Sequence, residues 1–356
     1  MQEINDEEII EDIESENEDE VIDTTNYEIV TYGADYTLSV LYDKLTKDEI
    51  IIPNYQRKFV WKQKQASRLI ESFLLGLPIP GVFLSKVPDT GQLLVVDGQQ
   101  RLKSIEAYRN EIFPITNEEF FLTGVHERWE GKKYSNLEVV DRRKIDDAVL
   151  RATIIQQINP KDDTSVYHIF ERLNTGGTSL QNQEIRNCVY HGSFNELLHE
   201  LNENDVWRKL YNSPIPSKRL KDEELILRFL SFIHDLEHYT KPLNEFLSKF
   251  MSKNKKASKS LLDQYRKEFI DTITIVDEQI GLKAFRPTRN LNMAAFDSVM
   301  YTIFINKDKL HKDLKSQIDL LFNNEAFKRA IRLGTTDDDT IHSRIKIAKQ
   351  YLTNEK

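Results

Sequence analysis

The stretch LLVVDGQQRLKSIEAY, residues 93–108, most constrains the fold, because its hydrophobic pattern changes at a single glycine. Four apolar residues run into Asp97 and Gly98, and a helical pattern that includes Leu102 and Ile105 follows at once. A short apolar run that ends at glycine is typical of a buried strand, whereas spacings of three and four residues are typical of a helix. The chain is therefore expected to contain a sheet with a helix packed against it.

The flanking sequence continues this alternation as far as residue 160. Helices are predicted at 37–47, 62–75 and 99–111, and strands at 50–53, 81–87, 90–98 and 149–158. Between them, residues 111–148 are predicted to form further strands and loops, including FFLTGVHERWEGKKYSNL. From Asp162 onward the pattern is mainly helical. The predicted fold class is α+β, with a small sheet domain followed by a mainly α-helical domain.

The charge is distributed unevenly along the chain. Residues 1–43 hold fifteen acids and neither Lys nor Arg, which leaves 43 acids against 49 bases in the remainder. Such an acidic block is typical of a disordered, solvated tail, which we place at residues 1–25. A second interpretation is that this tail covers a basic surface and competes with nucleic acid for it.

Composition excludes several classes of protein. No apolar run approaches the 18 residues of a membrane-spanning helix, and the acidic N-terminus does not resemble a signal peptide. The single cysteine, Cys188, excludes an intrachain disulfide framework and a Cys-rich zinc site. We therefore expect a cytoplasmic protein without a membrane partner.

The turn at Gly98 has the composition of an anion site. A helix that starts there exposes unpaired N–H groups and the positive end of its dipole, and Arg101 adds a fork of donors suited to phosphate. Asp97 could hold Mg²⁺ or polarise a water, and Gln99 and Gln100 could position that water or read a base edge. The alternative is a well-capped turn with a surface arginine, and spacing alone does not decide between them.

A second motif, IIPNYQRKFVW at residues 51–61, pairs Gln56 with Arg57 among aromatic residues. A cation next to aromatic rings is a common composition of nucleotide-binding sites. The alternative is a core cluster of Phe59 and Trp61 with charges on the surface.

A third motif, IFERLNTGGTSLQNQEIRNCVY at residues 169–190, places Asn174, Gly176 and Gly177 between two predicted helices. Paired glycines let backbone N–H groups face an anion. The alternative is an ordinary helix–loop–helix turn.

The segments PNYQRKFVW, VVDGQQRL and FERLNTGGTSLQNQEIRN, in this order and at this spacing, resemble the GmrSD-type restriction-endonuclease N-terminal domain family. The resemblance extends over roughly residues 35–310 and includes DEELILRFLSFI at 222–233 and FRPTRNLNMAAFDSVM at 285–300. The core of this family is similar to the ParB and sulfiredoxin fold. The resemblance thus implies a ParB/sulfiredoxin-like mixed-sheet domain at residues 26–160 and a helical domain at 161–356.

The resemblance also implies a function in bacterial DNA restriction and defence against phage. The domain is expected to bind and hydrolyse a nucleoside triphosphate, GTP or ATP, with Mg²⁺, and to couple this to DNA. Carried over by position, the catalytic residues are Asp97, Gln99 and Gln100. The remaining nucleotide-binding residues are Gln56, Arg57, Gly98, Arg101, Asn174, Gly176 and Gly177.

One departure from the family keeps three functions open. Many relatives carry a C-terminal His-Asn-His nuclease domain, but after residue 240 this sequence has only His311 and His342, in helical surroundings. We therefore expect a separate nuclease subunit, and a homo-oligomer is a further expectation. The alternatives to an NTPase are a non-catalytic DNA-binding adaptor of ParB-like type and a Mg²⁺-dependent nuclease that uses Asp97.

Two further patterns are weaker. HDLEH at residues 234–238 fits a zinc-protease spacing, but we interpret it as the polar end of a core helix that lacks a third ligand. The basic segment KFMSKNKKAS offers Lys253, Lys255 and Lys256 to DNA phosphates, with a solvated loop as the alternative.

Overall fold

The computed structural model describes residues 29–52, 59–87, 90–157, 181–217 and 219–354. These residues belong to two compact units, one within residues 26–179 and the other within 180–356. The predicted domain boundary after residue 160 and the predicted acidic tail lie outside the described residues, so both stay predictions.

The described part of the N-terminal unit contains five strands and four helices. The strands are β1 (Ile29–Thr37), β2 (Ile50–Ile51), β3 (Val82–Lys86), β4 (Leu93–Asp97) and β5 (Val149–Gln157). The helices are α1 (Leu38–Thr46), α2 (Gln63–Leu75), α3 (Gln99–Asn110) and α4 (Val139–Asp147).

The strands form one mixed sheet in the order β1-β5-β3-β4-β2. The pairs β1–β5 and β3–β4 are antiparallel, and the pairs β5–β3 and β4–β2 are parallel. Leu84 is opposite Val95, and the register shifts at Phe83, which is opposite Asp97. This bulge lies where β4 ends, and such irregularities re-aim the side chains at the end of a strand.

The core of this unit lies between the sheet and helices α1, α2 and α3. Helix α2 buries Ile70 and Phe73 on one face, as its spacing predicts, and it ends at Gly76 with a φ of 67°. Helix α3 buries Leu102 and Ile105, which belong to the same cluster as Val95 of the sheet. Burial of each such side chain contributes about 1.5–3 kcal/mol, so the packing of α3 fixes the turn that precedes it.

Two predictions for this unit are wrong. Residues 111–137, all of them described, form turns and loops and not the predicted strands. The β-pairing found there is an isolated bridge between Ile112 and Glu119. Residues 139–147 form helix α4 instead of a strand or loop, because Asp141 and Ile145, four residues apart, turn the same helix face into the interior. Strand β1 was not predicted from the sequence.

The described part of the C-terminal unit is helical. Its α-helices are α5 (Asn182–Val189), α6 (Ser193–Asn202), α7 (Asp205–Tyr211), α8 (Lys221–Asp235), α9 (Leu243–Asn254), α10 (Lys259–Gln279), α11 (Met293–Ile305), α12 (Leu314–Asn323), α13 (Glu325–Ala330) and α14 (Asp338–Leu352).

Buried ion pairs connect three of these helices. Arg228 of α8 donates from Nε to Asp297 of α11 at 2.9 Å, and Arg344 of α14 donates to the same carboxylate at 2.9 Å. All three side chains are at most 7% exposed. One carboxylate thus pairs with two buried arginines, so its removal would take from each of them its nearest acidic partner.

The architecture confirms the predicted fold class, an α+β domain followed by a mainly helical one. None of the described helices combines the length and the apolar character needed to cross a membrane.

Candidate functional site

The turn between β4 and α3 requires glycine for two separate reasons. Gly98 is the residue before the helix, and its φ of 96° lies where side chains are strained. A Cβ atom at this position would also lie 2.3 Å from Cγ1 of Val82. The first turn of α3 is therefore packed directly against the start of β3.

Arg101 spans this turn. Its Nη2 donates to the carbonyl oxygen of Gly81 at 3.0 Å and to Oδ2 of Asp97 at 2.8 Å. Gly81 is itself constrained, because a Cβ there would lie 2.6 Å from the carbonyl oxygen of Arg151. The guanidinium thus bridges the loop before β3 and the end of β4. These two hydrogen bonds keep it beside the N-terminus of α3.

Two polar groups at this turn lack a partner among the described residues. The Nε of Arg101 is buried and donates no hydrogen bond. Asp97 uses Oδ2 for Arg101, its side chain is 63% exposed, and Oδ1 makes no hydrogen bond in the described part of the chain. A buried donor without an acceptor is uncommon in native proteins. The Nε of Arg101 is therefore a donor to which an oxygen atom of a ligand could bind.

Gln100 ties a neighbouring segment to the turn. Its Oε1 accepts hydrogen bonds from the backbone N–H groups of Val60 at 3.0 Å and Trp61 at 3.3 Å. Gln99 is buried, with 8% of its surface exposed. The amide oxygen of Gln100 therefore holds the backbone at Val60 and Trp61 beside the turn.

The remaining predicted nucleotide contacts lie outside the described residues. Gln56 and Arg57 fall in the gap 53–58, and Asn174, Gly176 and Gly177 fall in the gap 158–180. The described flanks of the first gap lie near the turn, since β2 pairs with β4 on one side and Gln100 holds Val60 on the other. The assignment of all five residues stays a prediction.

A groove on the outer side of α3 was not predicted from the sequence. It has a volume of about 620 Å³ and is lined by Phe59, Ile112, Pro114 and Ile115, together with α3 residues that include Lys103 and Glu106. The sequence signal was a polar stripe, since Gln99, Lys103, Glu106 and Asn110 are four, three and four residues apart and share one helix face.

The charges in this groove are partly removed from water. Burial lowers the pKa of the Lys103 ammonium, although the nearby Glu106 opposes the change. Burial likewise raises the pKa of the Glu106 carboxyl, although Lys103 opposes it. Neither side chain makes a hydrogen bond or ion pair within 4 Å in the described part of the chain, so both are desolvated without a direct partner.

The predicted DNA-binding lysines lie at the end of α9 and just after it. Lys253 is 68% exposed and lies 3.7 Å from Asp235, while Lys255 is partly buried and donates to the carbonyl oxygen of Val189. Lys256 is exposed. Lys253 and Lys256 are thus exposed to solvent, whereas Lys255 makes a hydrogen bond within the helical unit.

The histidines of HDLEH do not converge. The Nε2 of His234 lies 2.6 Å from Glu268, whereas the Nδ1 of His238 lies 3.0 Å from Asp235. Among the described residues, no group of three or more His, Cys, Asp or Glu side chains is placed to hold a metal ion. Helix α8 ends at Asp235, so this segment is the polar end of a core helix, as interpreted from the sequence.

The fold and the turn define a class of protein, namely an α+β domain whose strand–glycine–helix turn presents a positive helix end and an arginine. Residues 38–191 match the family described as GmrSD restriction endonuclease, N-terminal domain. This match confirms the resemblance over residues 38–191, and a domain of this kind suggests a component of a restriction or defence system.

The matched range ends at residue 191, so the likeness drawn from residues 222–233 and 285–300 lies beyond it and stays a prediction. No protein of curated function matches the chain.

Proposed function

We propose that this chain is the NTP-binding and NTP-hydrolysing subunit of its restriction system, with GTP or ATP as substrate and DNA as partner. The observation that carries the proposal is the position of Arg101, fixed at the N-terminus of α3 with a buried donor that has no acceptor. A helix N-terminus beside an arginine favours phosphate through its N–H groups, its dipole and the guanidinium charge.

The phosphate chain would lie across the first turn of α3. Gly98 allows close approach because it has no side chain and is held at a positive φ. The β- and γ-phosphate oxygens would then accept hydrogen bonds from the α3 backbone and from Arg101. A nucleotide in this position would supply the acceptor that the Nε of Arg101 lacks.

Asp97 fits the requirements of a magnesium ligand at this position. Mg²⁺ at nucleotide sites is commonly bound by one or two carboxylates together with phosphate oxygens, and Asp97 has an exposed Oδ1 next to the turn. Bound Mg²⁺ would neutralise charge on the phosphates. In hydrolysis, a water oxygen bonds to the γ-phosphorus as the bond to the bridging oxygen breaks, which yields the diphosphate and inorganic phosphate.

The segment at residues 53–58 completes the proposed site. Gln100 holds the backbone that follows this segment, so nucleotide binding at the turn and the position of Gln56 and Arg57 would be coupled. In the proposal these two side chains contact the phosphates opposite Arg101, and Asn174, Gly176 and Gly177 contact the nucleotide from the other side.

Steady-state hydrolysis of GTP and ATP, with and without DNA, tests the proposal. Arg101→Ala and Asp97→Ala are expected to reduce kcat/KM at least about tenfold, the effect of losing one charged hydrogen bond in the transition state. Arg143→Ala and Asp147→Ala are matched controls, since both side chains are exposed in the same unit.

Arg101→Lys separates charge from geometry, because lysine keeps the charge but lacks the planar fork. Hydrolysis by the two alanine variants at the wild-type rate would refute the site. Salt-dependent DNA binding by a protein that binds no nucleotide would instead support the adaptor function.

A further inference from the structure

We propose that strand β1 is the interface of a homodimer, in which β1 of one copy pairs antiparallel with β1 of a second copy. Among the described strands, β5 alone pairs with β1, so the other edge of β1 presents unpaired backbone N–H and C=O groups. The inference is independent of the proposed nucleotide site, because that site follows β4, which lies next to the opposite edge of the sheet.

The two edges of the sheet differ in how well they are protected against pairing. At one edge β2 has only two residues, and so short a strand offers little backbone to another chain. At the other edge β1 has nine residues, compared with about five or six in a typical strand. Its register with β5 is unbroken from Ile29 to Thr37, and its sequence IVTYGADYT contains neither proline nor lysine. Strand β1 therefore lacks the bulges, prolines and lysines that commonly prevent edge pairing.

The length of β1 defines one register with complete overlap. Gly33 is the central residue of Ile29–Thr37, so a two-fold axis at Gly33 pairs all nine residues with those of a second copy. In an antiparallel pair, alternate residues exchange two hydrogen bonds each, so this register would form about eight to ten backbone hydrogen bonds. The sheets of the two copies would then join into one continuous sheet.

This register also covers exposed apolar side chains. Ala34 and Tyr36 lie on the face of β1 that packs against the core, and Val30 and Tyr32 continue this face toward the start of the strand. Val30 is 44% exposed and Tyr32 is 39% exposed. In the dimer, Val30 would lie opposite Tyr36 of the second copy and Tyr32 opposite Ala34, and such cross-strand pairs stabilise a sheet.

On the other face of the sheet, an arginine of β5 reaches across β1. Arg151 is opposite Asp35 in the register of the two strands, so both side chains lie on the same face. The guanidinium nevertheless lies over Gly33, where a Cβ atom would be 3.0 Å from its Nη2. Both Arg151 and Asp35 are exposed, and neither makes an ion pair within 4 Å in the described part of the chain.

A second copy would supply the partner that Arg151 lacks. In the register centred on Gly33, Asp35 of the second copy lies opposite Thr31, on the same face as Gly33. Gly33 and this aspartate are diagonal neighbours about 7–8 Å apart, a separation that a long side chain spans. The guanidinium already extends from the level of its own Asp35 toward this position. Because the two-fold axis creates this ion pair twice, charge complementarity favours a second copy of this chain over an unrelated strand.

Cysteine crosslinking of the full chain tests the register. Gly33→Cys would place two thiols directly opposite each other, at a Cα separation of about 4.5–5.5 Å that a disulfide spans. The nearest atoms to the new Cβ belong to the exposed guanidinium of Arg151, which can move aside. Mild oxidation is therefore expected to yield a covalent dimer. Asp35→Cys is the matched control, because its two thiols would lie four residues apart along the strands, about 13 Å, too far for a disulfide. The wild-type chain, with Cys188 as its single cysteine, gives the background.

Sedimentation equilibrium tests the ion pairs. Asp35→Lys and Arg151→Glu each place like charges at both pairs of the homodimer, so each is expected to weaken dimerisation about tenfold. An equimolar mixture of the two variants restores both pairs in the heterodimer, although within each chain residues 35 and 151 still carry like charges. The heterodimer is therefore expected to be about tenfold tighter than either variant homodimer. Glu127→Lys, the same charge change at an exposed position of this unit, should leave dimerisation unchanged.

Three results would overturn the interface. The first is a wild-type chain that sediments as a monomer at every concentration up to its solubility limit. The second is crosslinking of Gly33→Cys at no more than the level of Asp35→Cys or of the wild type. The third is a mixture of the two charge variants that associates no more tightly than each variant alone.

Discussion

Gly98→Ala tests the packing of the strand–helix turn. The substitution places a side chain at a φ of 96°, which costs about 1–2 kcal/mol for a residue other than glycine. It also brings the new Cβ to 2.3 Å from Cγ1 of Val82, and overpacking of this kind costs about 1–3 kcal/mol. We therefore expect the N-terminal unit to lose about 2–5 kcal/mol of stability.

Gly131→Ala is the matched control, because Gly131 has a φ of 73° and no atom within 4 Å of its added Cβ. This variant should lose only the conformational part, about 1–2 kcal/mol. The assay is urea-dependent hydrogen exchange of peptides from β3 and β5, which reports the unfolding of this unit alone. Equal losses for the two variants would refute the contact with Val82.

Val82→Ala should relieve part of the Gly98→Ala penalty. It removes Cγ1 but leaves the Val82 Cβ, which lies 2.9 Å from the new atom. The double variant is therefore expected to be more stable than the sum of the single changes predicts, by about 1 kcal/mol. Strict additivity would contradict the geometry.

Three further predictions concern contacts outside the turn. Gln100→Ala leaves the backbone N–H groups of Val60 and Trp61 without their acceptor and should lower the free energy of unfolding by about 1–3 kcal/mol. Amide hydrogen exchange at these two residues should become faster, and unchanged exchange would refute the contact. Asp297→Asn removes the negative charge that Arg228 and Arg344 share and should destabilise the helical unit by about 3–5 kcal/mol, measured by urea unfolding. A loss below about 1 kcal/mol would show that these ion pairs contribute little to stability. The imidazole of His199 donates a hydrogen bond to the carboxylate of Glu223, which raises the pKa of His199. The stability that this pair adds is therefore present below the ordinary histidine pKa of 6.5 and is lost as the pH rises through the raised value. His199→Gln should flatten that dependence in pH-dependent thermal unfolding.

Hydrophobic periodicity was sufficient to predict most elements near the site. The apolar run before Gly98 and the spacing of Leu102 and Ile105 after it located the ends of β4 and α3 to within three residues. Strand β1 was not predicted because its sequence contains Gly33 and Asp35, which are uncommon in strands. It is an edge strand that pairs with β5 alone. An edge strand can tolerate residues that a central strand disfavours, so its pattern is weak.

The contacts made by the residues of the turn were less predictable than the elements that carry them. The composition of the turn favoured a role for Arg101, yet its acceptor at Gly81 is a backbone carbonyl twenty residues away, which leaves no mark on the sequence. The groove is similar, because Lys103 and Glu106 become partly buried only when the chain after α3 folds back with Ile112 and Ile115. Long-range packing of this kind does not follow from local spacing.

A structure of the protein with a non-hydrolysable GTP analogue and Mg²⁺ tests the central claim most directly. We expect the phosphates to lie against Gly98 to Arg101, within hydrogen-bonding distance of the α3 backbone N–H groups and of the Nε of Arg101. An analogue bound elsewhere, with the Nε of Arg101 still unpaired, would contradict the account.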